Sequence, residues 1–216
     1  MKKIAILISG SGSNLGAIID ACDKNIISGE VSLVISNNPN AYGLKRASSK
    51  SIETIVLDHR KYKSREEFDN ELEHILKRNN FDLIVLAGFM RILGEKITKK
   101  FNNKMINLHP SLLPLYPGLN THEKVIKNNE KIHGISIHYV SNELDAGPLI
   151  AQGIIKIKGS DSVETVTERI HKIEHDLLPD VIKEICDEKI YFRDGNVQFS
   201  KDINTTNGII VKKYNV

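Results

Sequence analysis

Residues 3–22 read KIAILISGSGSNLGAIIDAC. The first seven, Lys3–Ser9, are nearly all apolar and predict a buried strand. Gly10–Asn14 are small and polar and predict a tight loop. From Leu15 the spacing changes: Leu15, Ile18, Ile19 and Cys22 share one face of a helix running to Lys24. A buried strand passing through a short glycine-bearing loop into a helix is the first unit of a parallel α/β sheet.

Outward from that unit the alternation repeats. Val31–Ser36 reads as a strand ended by Asn37–Asn40, Ala41–Lys50 as a short helix and Ile52–Leu57 as a strand. Ser64 and Glu67 have capping-box spacing and open a helix whose face is Phe68, Leu72, Ile75 and Leu76. Phe81–Ala87, almost wholly apolar, is a central strand. These elements predict a parallel sheet covered by helices on both faces. Beyond Gly88 the texture changes. Met90–Phe101 reads as a helix, Lys104–His109 as a strand and His109–Gly118, with three prolines, as an irregular loop. His122–Asn129 is a short helix, and the strands Ile135–Val140 and Leu149–Lys158 flank a turn at Asp145. Val163–Asp187 is a long amphipathic helix that Pro179 is placed to bend. Asp194-Gly195 signals a hairpin within Tyr191–Phe199, and the last residues read as a loosely attached tail.

The 216-residue chain suits one domain, and its net charge of +3, with basic residues scattered, argues against nucleic acid or an anionic membrane as partner. No apolar run approaches the length of a membrane span or of a signal-peptide core. Cys22 and Cys186 lie in helical patterns and read as buried free thiols, which suits a reducing cytoplasm.

Three groups carry chemistry. Asn107 and His109 stand two apart in a strand, so their side chains share a face, and Pro110 ends the strand beside them. The carboxyl edge they occupy is where open α/β sheets bind ligands. An amide can donate to a developing oxyanion, an imidazole can move a proton, and a carboxylate such as Asp145 can hold the imidazole's charge. Spacing alone is equally met by an ordinary polar strand end. Ser9–Asn14 follows a strand and opens a helix, which suits a phosphate cradle. Leu15 stands where the dinucleotide fingerprint needs its third glycine, so the alternatives are a mononucleotide-sized ligand or a merely tight turn. Met90-Arg91-Ile92-Leu93 after the central strand is either core or the lining of a flat apolar slot. His171–His175 matches the H-x-x-E-H zinc pattern, but few acids follow to complete a ligand set, and a solvated helix face explains it better. His138, inside an alternating strand, reads as packed.

Taken together, residues 8–15 (ISGSGSNL), 86–93 (LAGFMRIL), 107–114 (NLHPSLLP) and 134–148 (GISIHYVSNELDAGP) resemble the phosphoribosylglycinamide formyltransferases of the formyl-folate transferase superfamily. The likeness runs from Ile4 to about Ile185. It implies a mostly parallel mixed sheet, with a Rossmann-like, phosphate-binding half over residues 1–88 and a catalytic, folate-binding half over 89–190. Residues 191–216 remain as a hairpin and tail. It implies Asn107, His109 and Asp145 as catalytic residues. Gly12, Ser13, Asn14 and Glu174 would bind the ribonucleotide, which accounts for the H-x-x-E-H run without metal. Arg65, Met90, Arg91, Ile92, Leu93 and Asn107 would border 10-formyltetrahydrofolate, the co-substrate. It implies small molecules as partners and a monomer or homodimer as the working form. Two residues depart from the pattern: Asn120 stands where some relatives carry His, and Asn142 where an acid is usual.

Neighbouring activities share the catalytic three. A methionyl-tRNA formyltransferase is expected to carry an RNA-binding domain and a basic surface, and a formyltetrahydrofolate deformylase an N-terminal regulatory domain. A non-catalytic nucleotide or folate sensor has no need of Asn107, His109 and Asp145.

Overall fold

The computed structural model describes residues 1–216. Strand β1 (Lys2–Ile8) leads into helix α1 (Ser13–Asp23), then β2 (Gly29–Ser36), α2 (Tyr42–Ser49) and β3 (Glu53–Val56). Helix α3 (Arg65–Asn79) returns the chain to β4 (Leu83–Leu86). Then come α4 (Glu95–Lys100), β5 (Met105–His109), α5 (Thr121–Lys127), β6 (Ile132–Tyr139), β7 (Leu149–Lys156), α6 (Val163–Cys186) and β8–β10 (Ile190–Arg193, Asn196–Phe199, Ile210–Tyr214).

Eight strands form one sheet in the order β10-β7-β6-β5-β4-β1-β2-β3. Only β6 is reversed: it pairs antiparallel with β5 and β7, and the remaining pairs are parallel. The mixed, mostly parallel sheet is therefore as expected. Its two faces bury separate cores. One packs Ile6, Ile8, Val85, Ile106 and Ile137 against α1 and α6. The other packs Ala5, Leu7, Ile84, Leu86 and Met105 against α3 and α4. Alternation along each strand divides its side chains between these layers. After β3 the chain crosses to the other side of β1 to lay down β4, so strand order reverses between β1 and β4. The carboxyl ends of these two strands open a crevice, the usual ligand position in such sheets.

Local signals acted where expected. The Ser64 hydroxyl accepts from the Glu67 N–H, while the Glu67 carboxylate reaches one residue further back, to the Lys63 N–H. Asp194 and Gly195, with φ of 52° and 79°, form the two-residue turn between β8 and β9.

Three expectations need correction. Met90–Leu93 is not helical; only Glu95–Lys100 is. The Gly94 N–H, which a helix beginning at Met90 would direct to the Met90 carbonyl, donates instead to Asp69 Oδ2 (2.7 Å), while the Met90 N–H is held by Ser9 Oγ (2.7 Å). The tail is not loose: Ile210–Tyr214 pairs with β7 as an edge strand, and Lys212 is ion-paired with Asp176 on α6. Of the two free cysteines, Cys186 is buried but Cys22 only half-buried. Burial pushes the Cys22 thiol up to about 11 and the Cys186 thiol up to about 12.

Candidate active site

A cavity of about 920 Å³ lies along the carboxyl edge of β1, β4 and β5. It is lined by the loop after β1, the loop after β4, the end of β5, the Asp145 turn and the start of α6. Every sequence-predicted site residue except Arg65 lines it. Arg65 lies on the exposed first turn of α3, close to Gly94 at the end of the Met90–Leu93 loop.

Asn107 and His109 project from the face of β5 that carries Met105, as period two requires. The turn between β6 and β7 brings Asp145 over them with φ of 51°, a left-handed conformation that Asp tolerates better than most non-glycine residues. Gly147 permits this approach, since a Cβ there would lie 1.8 Å from the Tyr139 carbonyl oxygen. Asp145 Oδ2 accepts from the Gly118 N–H (2.8 Å) and lies 3.3 Å from His109 Nδ1. His109 Nε2 is 2.9 Å from the Tyr116 carbonyl oxygen, so both ring nitrogens face oxygens that only accept. Asn107 Nδ2 is 3.1 Å from His138 Nε2 and 3.5 Å from Asp145 Oδ1. The first of these is a sound hydrogen bond. The second is stretched, which leaves one N–H available to a ligand.

At the other end of the cavity, Gly12 caps α1 with φ of 67°. A Cβ there would lie 2.6 Å from Gly43 Cα, so only glycine lets α1 and α2 close around this loop. Ser9 ties the loop down: its hydroxyl donates to Asn37 Oδ1 (2.5 Å) while accepting from Met90. Asn14 Nδ2 donates to Glu174 Oε2 (3.0 Å) across 160 residues of sequence, and Asn14 Oδ1 is buried without a partner. Burial raises the Glu174 carboxyl above its ordinary value, against the opposing pull of the Asn14 hydrogen bond. Thus Glu174 is buried at the cavity wall, with His171, one turn earlier on α6, lining the same cavity. His171 and His175 stack 6.4 Å apart, and no group of three His, Cys, Asp or Glu side chains is gathered for a metal ion.

Between the two ends, Met90 and Ile92 stand 67% and 52% exposed, whereas Leu93 is in the core. Arg91 lies 4.6 Å over the Phe68 ring, with a buried Nε that has no partner. The Met90–Leu93 run is thus split between lining and core.

Sequence reasoning missed four groups. His138 touches Asn107; the Tyr116 carbonyl and the Gly118 N–H hold His109 and Asp145; His122 lines the cavity, with its Nδ1 2.9 Å from His133 Nε2. The backbone groups left no sequence signal. His138 follows only from the pairing of β5 with β6, which sets it opposite Asn107.

Known proteins share this sequence pattern and fold. Residues 2–182 match the family described as formyl transferase. A phosphoribosylglycinamide formyltransferase of Escherichia coli strain K12 is 44% identical over 188 residues, covering 87% of this chain and 89% of that protein. One of Haemophilus influenzae is 41% identical, covering 90% and 92%. The solved structure of a phosphoribosylglycinamide formyltransferase from Coxiella burnetii superimposes with a TM-score of 0.91 at 41% identity, covering 98% of this chain and 99% of that one. A match over most of the sequence, joined to a shared fold along nearly its whole length, places this chain in the formyl transferase family.

Proposed function

We propose that this chain transfers the formyl group of 10-formyltetrahydrofolate to the primary amine of 5′-phosphoribosylglycinamide, a step of purine synthesis. The observation that carries the reading is the convergence of Asn107, His109 and Asp145 on one cavity that ends at the Ser9–Asn14 loop. The ribonucleotide phosphate is assigned to Gly12, Ser13 and Asn14, where main-chain N–H groups begin a helix. The partnerless Asn14 Oδ1 and inward Glu174 suit hydroxyl donors of the sugar. The folate is assigned to the slot beside Met90–Leu93, with Arg65 and Arg91 towards its outer end. Residues 1–88 then form the ribonucleotide half and 89–190 the catalytic and folate half.

The amine nitrogen attacks the formyl carbon, and Asn107 donates to the oxyanion that forms. His109 takes the proton released by the amine and returns one to N10 as the carbon–N10 bond breaks. While His109 carries it, both ring N–H groups find acceptors, on Tyr116 and Asp145. No step calls on a metal. We assign the protein to the cytoplasm, with small molecules as its ligands and a monomer or homodimer as its working form.

The test is incubation with both substrates, following tetrahydrofolate release. Release should require the ribonucleotide and survive EDTA. Release at the same rate without the ribonucleotide would identify a hydrolase instead, and loss on chelation with recovery on adding zinc would restore a metal role.

A further inference from the structure

We propose that His138 is a positioning residue that decides which end of the Asn107 side-chain amide faces the reacting carbon. In β6 it stands directly opposite Asn107, and it is 2% exposed. Its Nδ1 lies 2.9 Å from the Tyr139 carbonyl oxygen. A carbonyl only accepts, so that contact puts a proton on Nδ1. The neutral ring then offers a lone pair at Nε2, and the Asn107 atom 3.1 Å away has to be the NH₂ nitrogen.

A second, independent contact demands the same orientation. The same end of Asn107 lies 3.5 Å from Asp145 Oδ1, and a carboxylate also only accepts. Turning the amide over would set its oxygen against a lone pair on one side and a negative charge on the other. His138 therefore holds one N–H firmly and leaves its twin with only the long Asp145 contact, which an oxyanion formed in the cavity can displace. The ring itself is pinned: the turn bearing Asp145 lies on it so closely that a Cβ on Gly147 would be 3.2 Å from Nδ1.

The lock works only while the ring is neutral. A charged His138 would donate from Nε2 and draw the amide oxygen towards it. Burial opposes this and lowers the pKa of His138 below its ordinary value, and His109 pushes the same way. The Tyr139 carbonyl and Asp145, whose Oδ1 is 3.9 Å from Nε2, pull in the other direction without prevailing.

The catalytic consequence rests on the formyl-transfer reading; the tautomer does not. In protein labelled with ¹⁵N histidine, without ligands, long-range proton–nitrogen spectra should show His138 protonated at Nδ1 and bare at Nε2. His138→Leu removes the acceptor and lets the amide sample both orientations. Its kcat should fall about tenfold, less than the loss of a whole oxyanion donor, with both KM values within about twofold. His138→Gln, whose NH₂ and carbonyl can replace Nδ1–H and Nε2, should recover most of that loss. A proton found on Nε2, a folded Leu variant with unchanged kcat, or a folded Gln variant no better than Leu would each overturn the proposal. If the wild-type protein transfers no formyl group, the functional reading fails, and the tautomer spectrum still decides the lock.

Discussion

Asn107 and His109 are two residues apart and Asp145 is 38 residues from Asn107, yet the three meet within hydrogen-bonding reach. Each assigned role carries a distinct kinetic signature. Asn107→Ala should lower kcat by on the order of 10²–10³ with little change in either KM, because its donor matters to the tetrahedral intermediate more than to bound substrate. Steady-state kinetics with both substrates varied will show it; a change confined to KM would assign Asn107 to ground-state binding. Asp145→Asn keeps shape, the capacity to accept from Gly118 and tolerance of a left-handed backbone. Only charge is lost, so a fall in kcat of on the order of 10² would mark Asp145 as His109's electrostatic partner. Unchanged rates would reduce it to a turn former. At this scale the sequence already showed the shared face of Asn107 and His109, because strand alternation is local. It could not show His138 as their neighbour, since one more polar residue in an alternating strand carries no mark of what lies across the ladder.

The elements around the site carry two further expectations. Gly12→Ala forces a side chain into a left-handed position and against Gly43. It should cost at least about 1 kcal/mol of stability and raise the KM for the ribonucleotide far more than that for the folate. Denaturant unfolding and kinetics of the same variant separate the two effects, and a raised folate KM would mean that the loop serves the other ligand. Where α5 meets β6, burial holds His122 at about 4 and His133 at about 3, both below the ordinary 6.5. Between those values and 6.5 the unfolded chain binds more protons than the folded one. Stability present above pH 6.5 is therefore lost as the pH falls through that window, at up to about 1.4 kcal/mol per pH unit for each histidine. Urea unfolding of the wild type and His133→Gln between about pH 7 and about pH 5 should show a flatter dependence in the variant; parallel curves would count against the pair. Helix and strand order were legible here from periodicity. The Met90–Leu93 segment was not: Leu93, Ile97 and Phe101 have helical spacing, but Asp69 takes the Gly94 N–H and the chain is irregular before Gly94.

Across the whole molecule the least expected feature is strand β10. Its pairing with β7, together with the Lys212 and Tyr214 contacts to Asp176, makes the terminal segment part of the main sheet. Hydrogen exchange should therefore be slower over Ile210–Tyr214 than over the preceding 201–208 loop, and removing residues 201–216 should lower the melting temperature by exposing the β7 edge. Equal exchange across both stretches would return the tail to a loose segment. Sequence by itself determined the strand–loop–helix unit at 3–22, the layered α/β architecture, the common face of Asn107 and His109 and the Asp194-Gly195 hairpin. Each of these depends on residues a few positions apart, where pleat, helical pitch and turn geometry act directly. Tertiary structure alone decided the Asn14–Glu174 contact, the place of His138 against Asn107, the irregular path of Met90–Leu93 and the sheet position of β10. Those depend on strand order and register, which are set by many weak contacts summed over distant segments, so no local pattern encodes them.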